Sequence, residues 1–439
     1  MSDVDSPASK PAEPMGPAPQ PVKANTSAVA FIFITVLLDM MAFGMVAPVL
    51  PPLVRQFVNQ DPATAALIYT LFMTAFALLQ FLFSPLIGAL SDRFGRRPLI
   101  LASNLGLGLS YVLMASAPNL IWLFVGRVVS GVTGASYSTA SAYIADCTEP
   151  EKRAGAFGIL GAAFGVGFMI GPSLGGVIGE YFGPRAPFVV AGAFSLLNAV
   201  YGFFVLPESL PTSLRSPLRL KKANPFGALV LLRRHPDLMA LASTQFLSTL
   251  AQVSLPTTIV LYVGYRYHWT PVAIGPALTV VGIALAAVQV GVVGRFVKKF
   301  GNRAALVTGL LFGAAGLSVI GLAPTGPWFW VAAPVIALWG LAGPALQTMM
   351  TRHVEPYEQG LLQGATASLT GIAELVGPSV FGFTFAYFVT AGHEPAASGA
   401  PFVLAGALLL LTAAFAYFAT RAEHDVGDSD DIDQYEALI

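Results

Sequence analysis

Apolar residues run along most of this chain in long blocks, separated by short clusters of charge, proline and glycine. A helix needs about 20 such residues to cross a bilayer. Twelve stretches reach that length, near 27–51, 64–90, 98–117, 120–145, 154–180, 186–206, 238–264, 271–297, 303–323, 327–350, 360–390 and 400–420. Glycine (44) and proline (33) are more frequent than soluble helices allow. Membrane helices accept them, because neighbours re-satisfy the freed backbone groups. The pattern predicts an all-α integral membrane protein of twelve transmembrane helices.

The longest connection, 207–237, is proline-rich and basic, and it divides the stretches six and six. The halves repeat at an offset of 206 residues. Gly88-Ala-Leu-Ser-Asp-Arg-Phe94-Gly95-Arg-Arg97 falls on Gly294-Arg-Phe-Val-Lys-Lys-Phe300-Gly301-Asn-Arg303. Glu149-Pro150 falls on Glu355-Pro356, and Gly165 with Gly171-Pro172 on Gly371 with Gly377-Pro378. One register held at separate places points to duplication: two pseudo-symmetric six-helix bundles with a site between them near the midplane. The expected organisation is a disordered tail at 1–25, a bundle at 26–206, a linker at 207–237, a bundle at 238–421 and an acidic tail at 422–439.

Composition narrows the function. Only 10% of the 439 residues are charged, against about 25% in soluble domains. The formal net charge is zero, so nucleic acid has no electrostatic footprint to bind. The single Cys147 excludes a disulfide framework and a multi-cysteine metal site. His235, His268, His353, His393 and His424 fall in loops, span ends or tails, leaving no mid-membrane histidine pair for a metal or a triad. No Gly-x-x-x-x-Gly-Lys-[Ser/Thr] pattern occurs, which removes ATP as a driver. The chain reads as a non-enzyme without cofactor or metal, powered by an ion gradient or by its substrate's own gradient.

The ends and the loops orient it. Residues 1–25 hold six prolines and no apolar run, and the first apolar stretch is too long for a cleavable signal. Residues 422–439 carry seven acids, from Glu423 to Glu436, and read as a solvated tail or a partner-binding segment. Nineteen Lys and Arg lie on the side of the two tails, against Arg55, Arg185 and Arg266 on the other. Positive residues stay inside, so both termini are expected in the cytoplasm.

The chain resembles the major facilitator superfamily. Gly88-Ala-Leu-Ser-Asp92-Arg93-Phe-Gly95-Arg96-Arg97 is similar to the superfamily's signature between spans two and three. Gly167-Phe-Met-Ile-Gly171-Pro172-Ser-Leu-Gly175-Gly176 resembles the span-five motif of its proton antiporters. Leu38-Asp39 to Gly44 with Pro48-Val-Leu-Pro51, Gly126-Arg127 to Gly134 with Ala145-Asp146, and Pro344-Ala-Leu-Gln347 with Gln359 to Gly364 resemble the tetracycline efflux branch. The resemblance runs from about 27 to 420 and implies the superfamily fold and drug–proton antiport. It also implies that Asp92, Arg93, Arg96 and Arg97 form a cytoplasmic latch. There Asp92 would face the positive N-terminal end of a helix in the opposite bundle. Asp146 is placed to pair with one of these arginines; a plain topology signal is the other reading. The second copy has Lys298 where the first has Asp92, so the latch is expected on one side only. The chain departs from the branch at Ser110, Gly313 and Leu285, where those pumps usually carry two acids and a histidine. Glu374 is an acid they usually lack.

Asp39 stands about twelve residues into the first stretch, where a lone carboxylate costs at least ~3 kcal/mol to insert. It is either a permanently protonated, helix-bonded residue or a proton carrier. Glu374 carries the same argument, or is a polar contact between bundles. Arg127 either snorkels to the interface or faces a carboxylate or an anionic group. Gly167, Gly171, Gly175 and Gly176 allow close helix approach, and Pro172 should bend its helix. Gln245 (the repeat-mate of Asp39), Gln252, Gln289, Gln347 and Gln363 are candidate cavity donors and acceptors. The 31 phenylalanines carry no pattern that assigns any of them a role. The expected function is a monomeric, proton-coupled antiporter in the inner membrane exporting a small amphipathic drug-like compound, tetracycline among the candidates. Uptake of a metabolite by proton symport, or a non-transporting receptor, are the alternatives.

Overall fold

The computed structural model describes residues 26–134, 136–148, 153–215, 224, 226–234, 236–354, 358–390 and 395–420. Both tails, much of the linker, Glu149-Pro150, Glu355-Pro356, His235, His393 and His424 lie outside these residues. Every regular element among them is helical. In chain order the α-helices are α1 (Thr26–Val46), α2 (Leu50–Phe57), α3 (Pro62–Phe94), α4 (Arg96–Ala115), α5 (Leu120–Thr133), α6 (Ser136–Cys147), α7 (Arg153–Phe182) and α8 (Ala186–Val205). The short α9 (Val230–Arg234) precedes α10 (Pro236–Arg266), α11 (Pro271–Gly291), α12 (Val293–Leu322), α13 (Trp328–Ala337), α14 (Ala342–Arg352), α15 (Gln359–Thr390) and α16 (Ala400–Ala419).

Ten helical segments of the described residues are long and apolar enough to cross a membrane, and α1 with α2 forms an eleventh span bent by 41°. The shorter α5, continued by α6, occupies the twelfth position. Some boundaries differ from those read in the sequence. The first stretch breaks after Val46 and the fourth after Thr133, beside Gly134. The eighth ends at Gly291, and residues 293–300 form a short helix joined to span nine at Gly301. Apolarity reports immersion, and immersion continues through a break in the hydrogen-bond ladder.

Local chemistry sets the ends. Asp61 accepts from the Thr64 amide at 2.9 Å, with Pro62 at the first helical position of α3. The Thr64 hydrogen bonds hold the Asp61 carboxyl below its usual range. Asn119 accepts from the Ile121 and Trp122 amides and so starts α5. Gly95 has φ +106° and its repeat-mate Gly301 φ +79°, so both loop copies turn through a conformation that side chains resist.

Each bundle closes on its own buried core. Met45, Leu53, Tyr69, Met114 and Phe188 belong to the first, and Leu241, Leu306, Leu310, Phe381 and Phe402 to the second. The bundles meet along two seams, α7 against α11 and α3 against α15. These pairs exchange under the 206-residue repeat.

Candidate functional site

The seams are joined by matched hydroxyl pairs. Ser173 and Thr279 hydroxyls lie 2.7 Å apart across α7 and α11, and Thr74 and Ser379 hydroxyls 3.2 Å apart across α3 and α15. Ser173 and Ser379 are repeat-mates, each directly after a Gly-Pro. Thr279 also donates to the Met169 carbonyl, and Tyr69 donates to the Pro256 carbonyl at 3.4 Å. Backbone meets backbone here: Gly176 faces the Pro271 carbonyl, and Gly275 faces Pro172. All of these contacts lie in the half of the spans remote from Thr26 and Thr420.

The glycines of span five serve two neighbours. A Cβ at Gly167 would lie 2.5 Å from the Leu37 carbonyl oxygen, and one at Gly171 2.6 Å from that of Met41. Gly175 abuts Met45 in the same row, so three consecutive turns of α7 lie flat on α1, while Gly176 faces α11. Pro172 lies within the continuous α7 and its ring packs at Gly44. Gly165 faces open space.

Asp39 is 4% exposed and Arg127 3% exposed, both within the first bundle. The Arg127 guanidinium sits 4.1 Å over the Phe76 ring and donates to the Met73 sulfur, and its Nε is buried without a hydrogen bond. Tyr111 lies within electrostatic reach of both Asp39 and Arg127, and Tyr69 of Arg127. A carboxylate, a guanidinium and two phenols thus share one buried region.

Glu374 has a different setting. Along α15, Gly371 and Gly382 meet Phe81 and Thr70 of α3, whereas Gly377 meets Val253 of α10. At about 100° per residue Glu374 projects midway between those faces, three turns above the exposed Gln363. Glu374 is itself exposed on that face. On α10, Gln245 donates to Thr249 at 3.2 Å and shares a face with the exposed Gln252. Gln289 is exposed on α11, and Gln347 on α14 has a buried, unbonded amide nitrogen.

The charged loop folds onto the start of the linker. Arg96 Nη1 donates to Asp92 at 2.5 Å and Nε to Asp146 at 2.9 Å, while its backbone amide donates to Glu208 at 2.8 Å. Arg97 donates to the Phe203 carbonyl, and Arg93 lies over the Phe94 ring. Gly95 is where a side chain would strike Glu208, and Gly88 faces open space. Asp92 is half exposed and bonded to Arg96 within its own bundle.

Two features had no sequence signal strong enough to select them. Phe43 lies 6.2 Å from Phe76 and 6.3 Å from Phe168, which stacks on Phe164, so four rings cross α3, α1 and α7. Glu208 is the other; its only mark was an acid opening a basic linker.

Residues 32–378 match the sequence model of the Major Facilitator Superfamily. The chain belongs to that superfamily. It is a multi-pass membrane transporter of a small molecule. Among curated superfamily relatives, it is 38% identical over 396 residues to the class C tetracycline resistance protein of Escherichia coli, covering 89% of this chain and 96% of that one. To the class G protein of Vibrio anguillarum it is 35% identical, over 84% of this chain and 92% of that one. Among solved structures, the human organic anion transporter TETRAN matches with a TM-score of 0.66 at 25% identity, over 89% of this chain and 99% of that one. The departures noted above have local causes. Ser110 bonds to Ser130 at 2.7 Å, Gly313 leaves room for the Trp339 ring, and Leu285 packs at Gly340.

Proposed function

We propose that the protein is a monomeric proton-coupled antiporter of the bacterial-type inner membrane, with both termini cytoplasmic. It exports a small amphipathic compound, and tetracycline-type molecules are candidates. The observation that carries the reading is Asp39, a carboxylate 4% exposed in mid-span within electrostatic reach of Tyr111, in a chain related to tetracycline resistance proteins. Burying a charged carboxylate there is costly, so its proton is held or released according to which side water reaches it from. The Arg127 guanidinium is itself packed over the Phe76 ring.

Exchange of one proton across ~100 mV supplies about 2.3 kcal/mol, enough for a roughly fiftyfold substrate gradient. The hydroxyl-sealed half of the seams closes the outer face while the cleft opens inward. The Asp92–Arg96–Asp146 cluster latches the inner face in the opposite state. Export is tested by accumulation in a pump-deficient bacterial strain. Expression should lower cellular dye or drug, and an uncoupler should restore it. Raised accumulation with the same uncoupler sensitivity would mean symport, and no effect on a panel that includes tetracycline would remove the drug-export reading.

A further inference from the structure

Among the described residues, three side chains that carry charge lie well inside the spans: Asp39, Arg127 and Glu374. The first two, of opposite formal charge, both lie within electrostatic reach of Tyr111 in the first bundle. Glu374 has no such answer in the second bundle. Helices α11, α13, α15 and α16 hold no Lys or Arg, and those of α10, α12 and α14 stand at helix ends. A carboxylate in that position calls for a cation from outside the chain.

The repeat shows what stands opposite. Subtracting 206 from Glu374 gives Phe168. On α7, Phe168 projects between the face that meets α1 (Gly167, Gly171) and the face that meets α11 (Gly176), as Glu374 does on α15 between α10 and α3. The pseudo-twofold axis therefore turns both residues toward the cleft from opposite walls. Phe168 continues into Phe43 and Phe76 at ring spacings of 6.3 and 6.2 Å, and both Phe164 and Phe168 are about 40% exposed. Glu374 shares its helix face with the exposed Gln363 three turns away, and the neighbouring α10 carries Gln245 and Gln252. One wall is aromatic; the other is polar and acidic.

We infer that the cleft takes an aromatic cation, its positive charge on the Glu374 carboxylate and its rings against Phe168, Phe43 and Phe76. Ring faces themselves attract cations, so the two walls favour the same ligand. Only the direction of movement rests on the antiport reading; binding does not.

The test is equilibrium binding to the purified full-length chain in lipid nanodiscs, without any gradient, using ethidium as probe and phenanthridine as its uncharged counterpart. Wild type should bind ethidium and discriminate against phenanthridine. Glu374→Gln should weaken ethidium binding about tenfold or more, and Glu374→Asp should recover most of it. Phe168→Ala should weaken it about threefold or more, and Phe168→Tyr should not. Ethidium binding by Glu374→Gln at wild-type strength, or wild-type preference for phenanthridine, overturns the inference. Proton-driven transport by Asp39→Asn would instead remove Asp39 as the proton carrier and leave the binding result standing.

Discussion

The Glu208 carboxylate shows how a single side chain completes a motif it does not belong to. Helix α4 starts directly after Gly95, which has no side chain to cap it, and Glu208 reaches over to accept from the Arg96 and Leu210 amides. Glu208→Ala should cost about 1 kcal/mol, seen as a lower unfolding temperature in detergent. Asp92 differs, because its ion pair with Arg96 is half exposed and worth about 1 kcal/mol or less. Asp92→Asn should therefore leave protein level near normal while impairing transport. Transport at full rate would end the latch reading. The signature residues were legible because their types and spacing are unusual. Glu208 was not, since its partner stands 112 residues away and one acid in a loop has no period. The aromatic ladder was hidden for the opposite reason: with 31 phenylalanines in the chain, no four of them stand out.

Helices set the scale at which α7 works. Its glycine row meets α1 backbone over successive turns, so added volume has nowhere to go. Gly175→Ala should destabilise the folded protein by about 1–3 kcal/mol, whereas Gly165→Ala should be neutral because its Cβ enters open space. Comparing the two variants' melting in detergent checks this. The matched Ser173–Thr279 and Ser379–Thr74 pairs seal one half of both seams. Thr279→Val and Thr74→Val should each shift the population toward the outward-open state. Together they should shift it by roughly the sum, since the seams are separate. Distances between spin labels on α7 and α11, and on α3 and α15, report that shift. Span count and bundle repeat were readable from apolar length and register. The breaks after Val46 and Thr133 were not, because hydropathy is blind to backbone direction.

The whole molecule is two bundles joined along two seams by hydroxyl pairs and backbone contact. The duplication gives the bundles one shape, and divergence gives them different chemistry: Asp39 against Gln245, Phe168 against Glu374, Asp92 against Lys298. The central claim is that Asp39 carries the proton exchanged for substrate. The deciding measurement is proton-driven accumulation in reconstituted vesicles with an imposed pH gradient, comparing wild type, Asp39→Asn and Glu374→Gln. Asp39→Asn should lose uphill accumulation and substrate-induced proton release while keeping energy-independent exchange of labelled for unlabelled substrate. Full pH-driven accumulation by Asp39→Asn would contradict the account.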